Sequence, residues 1–164
     1  MKNYMFEICA NSAESCVAAQ LGGAHRVELC AGMPEGGTTP SLGEIKVARK
    51  LIDIRLHVII RPRGGDFLYT PSELEIMEED IRAARQAGAD GVVFGCLTPE
   101  GELDKPAMQR LMEASKGLSV TFHRAFDYVK SPREALEELI GMGVNRVLTS
   151  GQMPTAMEGS PLLA

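Results

Sequence analysis

The sequence contains no run of 18 apolar residues, so it predicts no transmembrane helix. It has no basic excess either. Seventeen Lys and Arg stand against 22 Asp and Glu, a formal net charge of -5. Nucleic acids and anionic membrane surfaces select a basic face, so neither is expected as a partner. Met1-Lys2-Asn3-Tyr4 leads almost directly into an apolar run, without the long apolar stretch and cleavage site of a secretory leader. The expected compartment is therefore the cytoplasm. Cysteines are few (Cys9, Cys16, Cys30 and Cys96) and are expected there as thiols rather than disulfides. No Walker or Rossmann glycine fingerprint is present, which sets aside the common nucleotide-binding loops.

What is present is a repeat, weak in identity and clear in punctuation. Gly23-Ala24-His25-Arg26-Val27, Gly88-Ala89-Asp90-Gly91-Val92 and Gly143-Val144-Asn145-Arg146-Val147 each follow a helix-like stretch and open an apolar run. A glycine there suits the left-handed conformation that ends a helix, and the valine starts a strand. Helix starts repeat too. Thr70-Pro71-Ser72-Glu73 and Ser131-Pro132-Arg133-Glu134 both read as capping boxes with Pro at the first helical position. Asn11-Ser12-Ala13-Glu14 and Ser41-Leu42-Gly43-Glu44 are similar, and Asp104 precedes Lys105-Pro106. Helices are predicted from about Ser12, Ser41, Pro71, Lys105 and Pro132.

Strands are predicted between them, at Met5–Ala10, Arg26–Cys30, Leu56–Arg61, Gly91–Gly95, Ser119–His123 and Arg146–Thr149. Strict alternation with helices, and no hairpin signal, predicts a parallel sheet. The strands carry polar residues on one face (Glu7, Cys9, Glu28, Cys30, His57, Arg61, Thr121, His123) and apolar residues on the other. One helix-covered face and one converging polar face fit a barrel better than a sheet covered on both sides. The prediction is an α/β fold of the (β/α)8 TIM-barrel type, incomplete, with about six βα units. Residues 1–164 form a single partial domain in which strands seven and eight are missing, and the chain is expected to stop inside the sixth helix.

Active sites of such barrels lie at the C-terminal ends of the strands. Glu7, Glu28, Arg61 and His123 are expected to converge there, with Cys9 and Cys30 one step nearer the loops. Two carboxylates on neighbouring strands cannot both ionise cheaply, so Glu7, Glu28 and His123 are the candidate acid/base groups. Arg61 offers a bidentate fork for a carboxylate or phosphate, and Arg63 in the glycine-rich loop after strand three supports it. Arg124 and Asp127, at the mouth of strand five, either bind substrate or pair with each other. Cys9 and Cys30, on adjacent strands, could share one soft cation such as Cu(I), or serve as small buried hydrophobes. Cys16 and Cys96 read as core or loop residues. His25 and His57 are placed at the opposite end of the barrel from the mouth.

Five segments together resemble the CutC family of copper homeostasis proteins. They are Arg26-Val27-Glu28-Leu29-Cys30, the run Glu35 to Ser41, the run Ile60 to Phe67, the run Val120 to Asp127, and Arg146 to Gly151. The resemblance spans essentially the whole chain. It implies a cytoplasmic barrel that self-associates as a homodimer or higher homo-oligomer, a role in copper homeostasis, and a Cu(I) site at the positions of Cys9 and Cys30. Beside copper handling stand two other readings: a barrel enzyme using acid/base chemistry on a small anionic metabolite, and a nonfunctional fragment.

Overall fold

The structure, a computed structural model, describes residues 4–164. Six parallel strands appear in chain order: β1 (Glu7–Ala10), β2 (Arg26–Leu29), β3 (Arg55–Ile59), β4 (Gly91–Phe94), β5 (Ser119–Phe122) and β6 (Arg146–Val147). The order across the sheet is β1-β2-β3-β4-β5-β6. That sequence separates the two α/β architectures. A doubly wound sheet reverses its order at a switch point, whereas this one only steps forward, so its crossovers gather on one face and the sheet curls as a partial TIM barrel.

The crossover helices are α1 (Ala13–Leu21), α2 (Leu42–Leu51), α3 (Pro71–Gln86), α4 (Lys105–Ala114) and α5 (Pro132–Gly141), followed by a short α6 (Ser160–Leu163). Ser12, Ser41, Thr70 and Asp104 each accept a backbone N–H of the first helical turn, and Thr70 with Glu73 forms the full capping box. Ser131 does not, contrary to the sequence pattern. Its ψ of 84° differs from the extended 163° of Thr70 and turns the short hydroxyl off the amide. Asp104, with a ψ of 85°, still caps because its carboxylate reaches one atom further. Gly23, Gly88 and Gly143 take φ of 88°, 90° and 81°, as the repeat requires.

The core lies between sheet and helices. Val27, Leu29, Leu56, Val58, Val92, Phe94, Val120 and Phe122 project outwards from the strands against Ile45, Met77, Ile81, Met108, Leu111 and Leu139. Full burial of each such side chain is worth about 1.5–3 kcal/mol, so this layer carries the stability. Among the described residues, the inner face holds a small separate apolar cluster, Cys30, Ile59 and Val93. Beside it lie the buried polar side chains of Glu28, His57, Arg61, Thr121 and His123, which makes the inner face the place for chemistry. No helix among the described residues is long and apolar enough to cross a membrane.

Candidate metal centre

Strand stagger sets the height of every inner side chain. Glu7 lies level with Arg26, Cys9 with Glu28, and Glu28 with His57. Thus Glu7, the first residue of β1, sits at the N-terminal end of the sheet and not in the mouth. There it forms an ion pair with buried Arg26. Glu28 sits mid-barrel, level with His57, which the sequence alone places at the far end. Arg61 and His123 follow the C-terminal ends of β3 and β5. The expected four-residue constellation is therefore divided: Glu7 is low, Glu28 central, and only Arg61 and His123 share the mouth.

The two cysteines do meet, although they are not in register. Cys9 is level with Glu28, and Cys30 follows β2, one layer higher. The side chains close the diagonal, with Sγ–Sγ at 3.0 Å. Cys30 is buried and Cys9 is exposed, so one thiol anchors and the other is open to solvent on the inner face. A carboxylate oxygen of Glu28 completes a group in which all three donor atoms lie within 4.8 Å of one another. The Oε2 of Glu28 is buried without a hydrogen-bond partner. Burial first, and then the negative neighbours Cys9 and Glu7, pushes the Glu28 carboxyl up to about 8. The hydrogen bond from Cys30 lowers the Cys9 thiol to about 7, while that same bond and burial push the Cys30 thiol up.

A further sulfur escapes sequence reasoning. Met33, on a 3₁₀ turn spanning Met33–Glu35, places its Sδ 3.3 Å from the Cys30 Sγ. The spacing Cys30-Ala31-Gly32-Met33 was the available signal, since two soft donors three residues apart can face one point only if the intervening backbone turns.

The mouth is built differently. Nη1 of Arg61 donates to the carbonyls of Glu35 and Gly37 at 2.8 and 2.9 Å, and Nη2 donates to the carbonyl of Gly65 at 2.7 Å. The guanidinium thus ties the β2–α2 loop to the β3–α3 loop, with only Nε left unpartnered. Phe67 covers it at 5.0 Å and also packs on the His123 ring at 4.9 Å. His123 accepts the Ala125 amide at Nδ1, and its Nε2 is buried without a partner. Burial, then the Arg61 charge, lowers this imidazole to about 3. His57 is likewise lowered to about 3 by burial and by Arg146 and Arg26.

The remaining predicted ligand groups hold loops together. Arg63 pairs with Asp66 and Glu73, donates to the Leu68 carbonyl and stacks on Tyr69. Arg124 pairs with Asp127 at 2.7 Å. Asp127 also accepts from the Thr149 hydroxyl and from the amides of Ser150 and Gln152. Burial alone would raise its carboxyl, but these bonds prevail and hold it below the usual carboxylate range. It fastens the turn after β6.

The CutC family matches residues 4–164. A CutC protein of Bacteroides thetaiotaomicron is 68% identical over 164 residues, covering 99% of this chain and 66% of that protein. The human protein named copper homeostasis protein cutC homolog is 52% identical over 160 residues, covering 98% of this chain and 59% of the relative. The chain therefore spans two thirds or less of the length of these curated relatives. The solved structure of a CutC protein from Streptococcus agalactiae superposes with a TM-score of 0.93 at 35% identity, covering 98% of this chain and 80% of that one.

Proposed function

The chain belongs to the CutC family, and on that premise we propose that it holds Cu(I) at Cys9 and Cys30, as a contribution to copper homeostasis. One observation carries this reading: two free thiol sulfurs 3.0 Å apart, one of them exposed. Cu(I) accepts low coordination and prefers sulfur, and a pair with one exposed thiol can take it up and release it. The donor set fits this ion better than a hard one. Glu28 supplies a single carboxylate oxygen, whereas Mg²⁺ or Ca²⁺ needs several oxygens. When bound, the ion itself supplies soft Lewis acidity; the chain's part is to hold the thiols together and shield one side.

The anion-binding enzyme reading has less support. It needs Arg61 as an anchor, and that guanidinium is spent on three backbone carbonyls. Reduced thiols suit a cytoplasmic setting, which is part of the proposal. Self-association as a homodimer or higher homo-oligomer is part of it too, supported by Phe6 and Ile8, which stay exposed on the outer side of β1 and can be checked by light scattering.

Anaerobic titration of Cu(I) against a competing chelator tests the site. The expected outcome is one bound ion per chain in the wild type and none in Cys9→Ser with Cys30→Ser. Unchanged affinity in the double variant would remove the thiol site.

A further inference from the structure

We propose that Met33 is the third sulfur ligand of this site, so that its thioether and the thiols of Cys9 and Cys30 form a three-sulfur set selective for Cu(I); this rests on the thiol-site reading above. The three sulfurs lie in consecutive contact. Cys9 Sγ is 3.0 Å from Cys30 Sγ, and Cys30 Sγ is 3.3 Å from Met33 Sδ.

The plain alternative for a methionine beside a cysteine is core packing, since Met fills irregular gaps. Met33 does not fit that role. Its side chain is 45% exposed, and it belongs to neither apolar cluster of the protein. A methionine used for packing gains by being covered, and this one stays half open while its sulfur points at a thiol.

Its position is also fixed by the backbone rather than by apolar neighbours. Gly32 enters the turn with φ 55° and Gly36 leaves it with φ 85°, both left-handed conformations that suit glycine. The amides of Glu35 and Gly37 both donate to the Gly32 carbonyl, and Ala31 and Thr38 bridge the base of the loop. Arg61 then clamps the turn from the far side through the carbonyls of Glu35 and Gly37. A ligand held by a rigid turn loses little entropy when it binds, which is the requirement for a pre-built metal site. The arrangement gives Arg61 a use that the sequence alone does not suggest: it is a positioning residue for the loop that bears Met33.

Chemistry explains what the third sulfur adds. A thioether is neutral, so it adds a donor to two thiolates without adding negative charge. It is also soft, and it ligates Cu(I) far more readily than Zn²⁺, which takes thiolate, imidazole or carboxylate. Glu28 offers the hard donor on one side and Met33 the soft one on the other, so the ion that engages Met33 is the one favoured by sulfur.

The test uses Met33→Leu, which keeps side-chain volume. Two measurements are made on the whole chain under anaerobic conditions: copper-edge X-ray absorption to count sulfur scatterers, and Cu(I) competition against a chelator. The wild type is expected to show three sulfur scatterers and Met33→Leu two. Cu(I) affinity should fall by at least the roughly tenfold that removal of even an outer-shell partner costs, while Zn²⁺ affinity stays unchanged. Selenomethionine substitution gives a second readout, a copper–selenium shell, because Met33 is the methionine placed against the thiols. Two sulfur scatterers in the wild type, or equal affinity in Met33→Leu, would overturn the assignment of Met33 while leaving the thiol pair standing. Full Cu(I) binding in Cys9→Ser with Cys30→Ser would overturn both.

Discussion

Two polar clusters share the inner face of the sheet, and their donor atoms are spent differently. At β1 and β2, Cys9 and Cys30 point their sulfurs at each other, Met33 points at Cys30, and Glu28 has a buried oxygen with no partner. At β3 and β5, Arg61 gives three bonds to backbone carbonyls, and Phe67 lies over both Arg61 and His123. The first cluster is polarisable, half open and under-bonded. The second is closed and its guanidinium is tied to three carbonyls, with Arg61 Nε and His123 Nε2 left buried without partners. Buried charge is a functional signal only when its bonding capacity remains unspent; once it holds loops, it is architecture.

The sharpest way to break this contrast is to remove one member of each cluster. Arg61→Ala should cost about 3 kcal/mol or more of unfolding free energy in urea, because three carbonyls lose a charged donor at once. Cys9→Ser with Cys30→Ser should abolish Cu(I) binding at a smaller cost in stability than Arg61→Ala, a cost that falls on buried Cys30 and not on exposed Cys9. A stable Arg61→Ala would show that the mouth is not a clamp. Next in size, Asp127→Ala should cost about 2–3 kcal/mol by the same measurement, having stripped the turn after β6 of its acceptor.

A pH series sharpens the contrast further. His123 and His57 are neutral in the fold, lowered to about 3, and take up protons at the ordinary 6.5 when unfolded. Their contribution is complete above 6.5 and is lost as pH falls towards 3, by up to about 1.4 kcal/mol per pH unit for each imidazole. His123→Asn keeps an acceptor for the Ala125 amide and removes one titration, so its stability should fall less steeply through that window. An identical slope would mean that folding leaves the His123 pKa where it is in the unfolded chain. The smallest effect belongs to Arg124→Ala. Its pair with Asp127 is 54% exposed on the arginine side, and its loss should cost at most about 1 kcal/mol.

Much of the fold was legible because local rules agree with one another. The Gly-to-Val repeats mark helix ends and strand starts, and Pro at the first helical position marks helix starts; each was found where the pattern put it. The alternation of polar and apolar residues along β2 and β3 correctly assigned the inner face. Height along the barrel was not legible. It depends on stagger between strands, and that stagger sets Glu7 level with Arg26 and Cys9 level with Glu28, so Glu7 drops out of the mouth. The use of Arg61 was hidden for another reason. Its partners are backbone carbonyls, which leave no trace in side-chain identity. Met33 was missed, because its spacing from Cys30 acquires meaning only through the 3₁₀ turn.

The most direct test of the account is alkylation of Cys9 followed by mass spectrometry, with and without one equivalent of Cu(I), in the absence of oxygen. Cys9 is the exposed member of the pair, and its thiol is lowered to about 7, so it should react readily in the free protein. The account predicts that Cu(I) protects Cys9 and that Met33→Leu weakens this protection. Alkylation of Cys9 at the same rate with and without Cu(I) would contradict it.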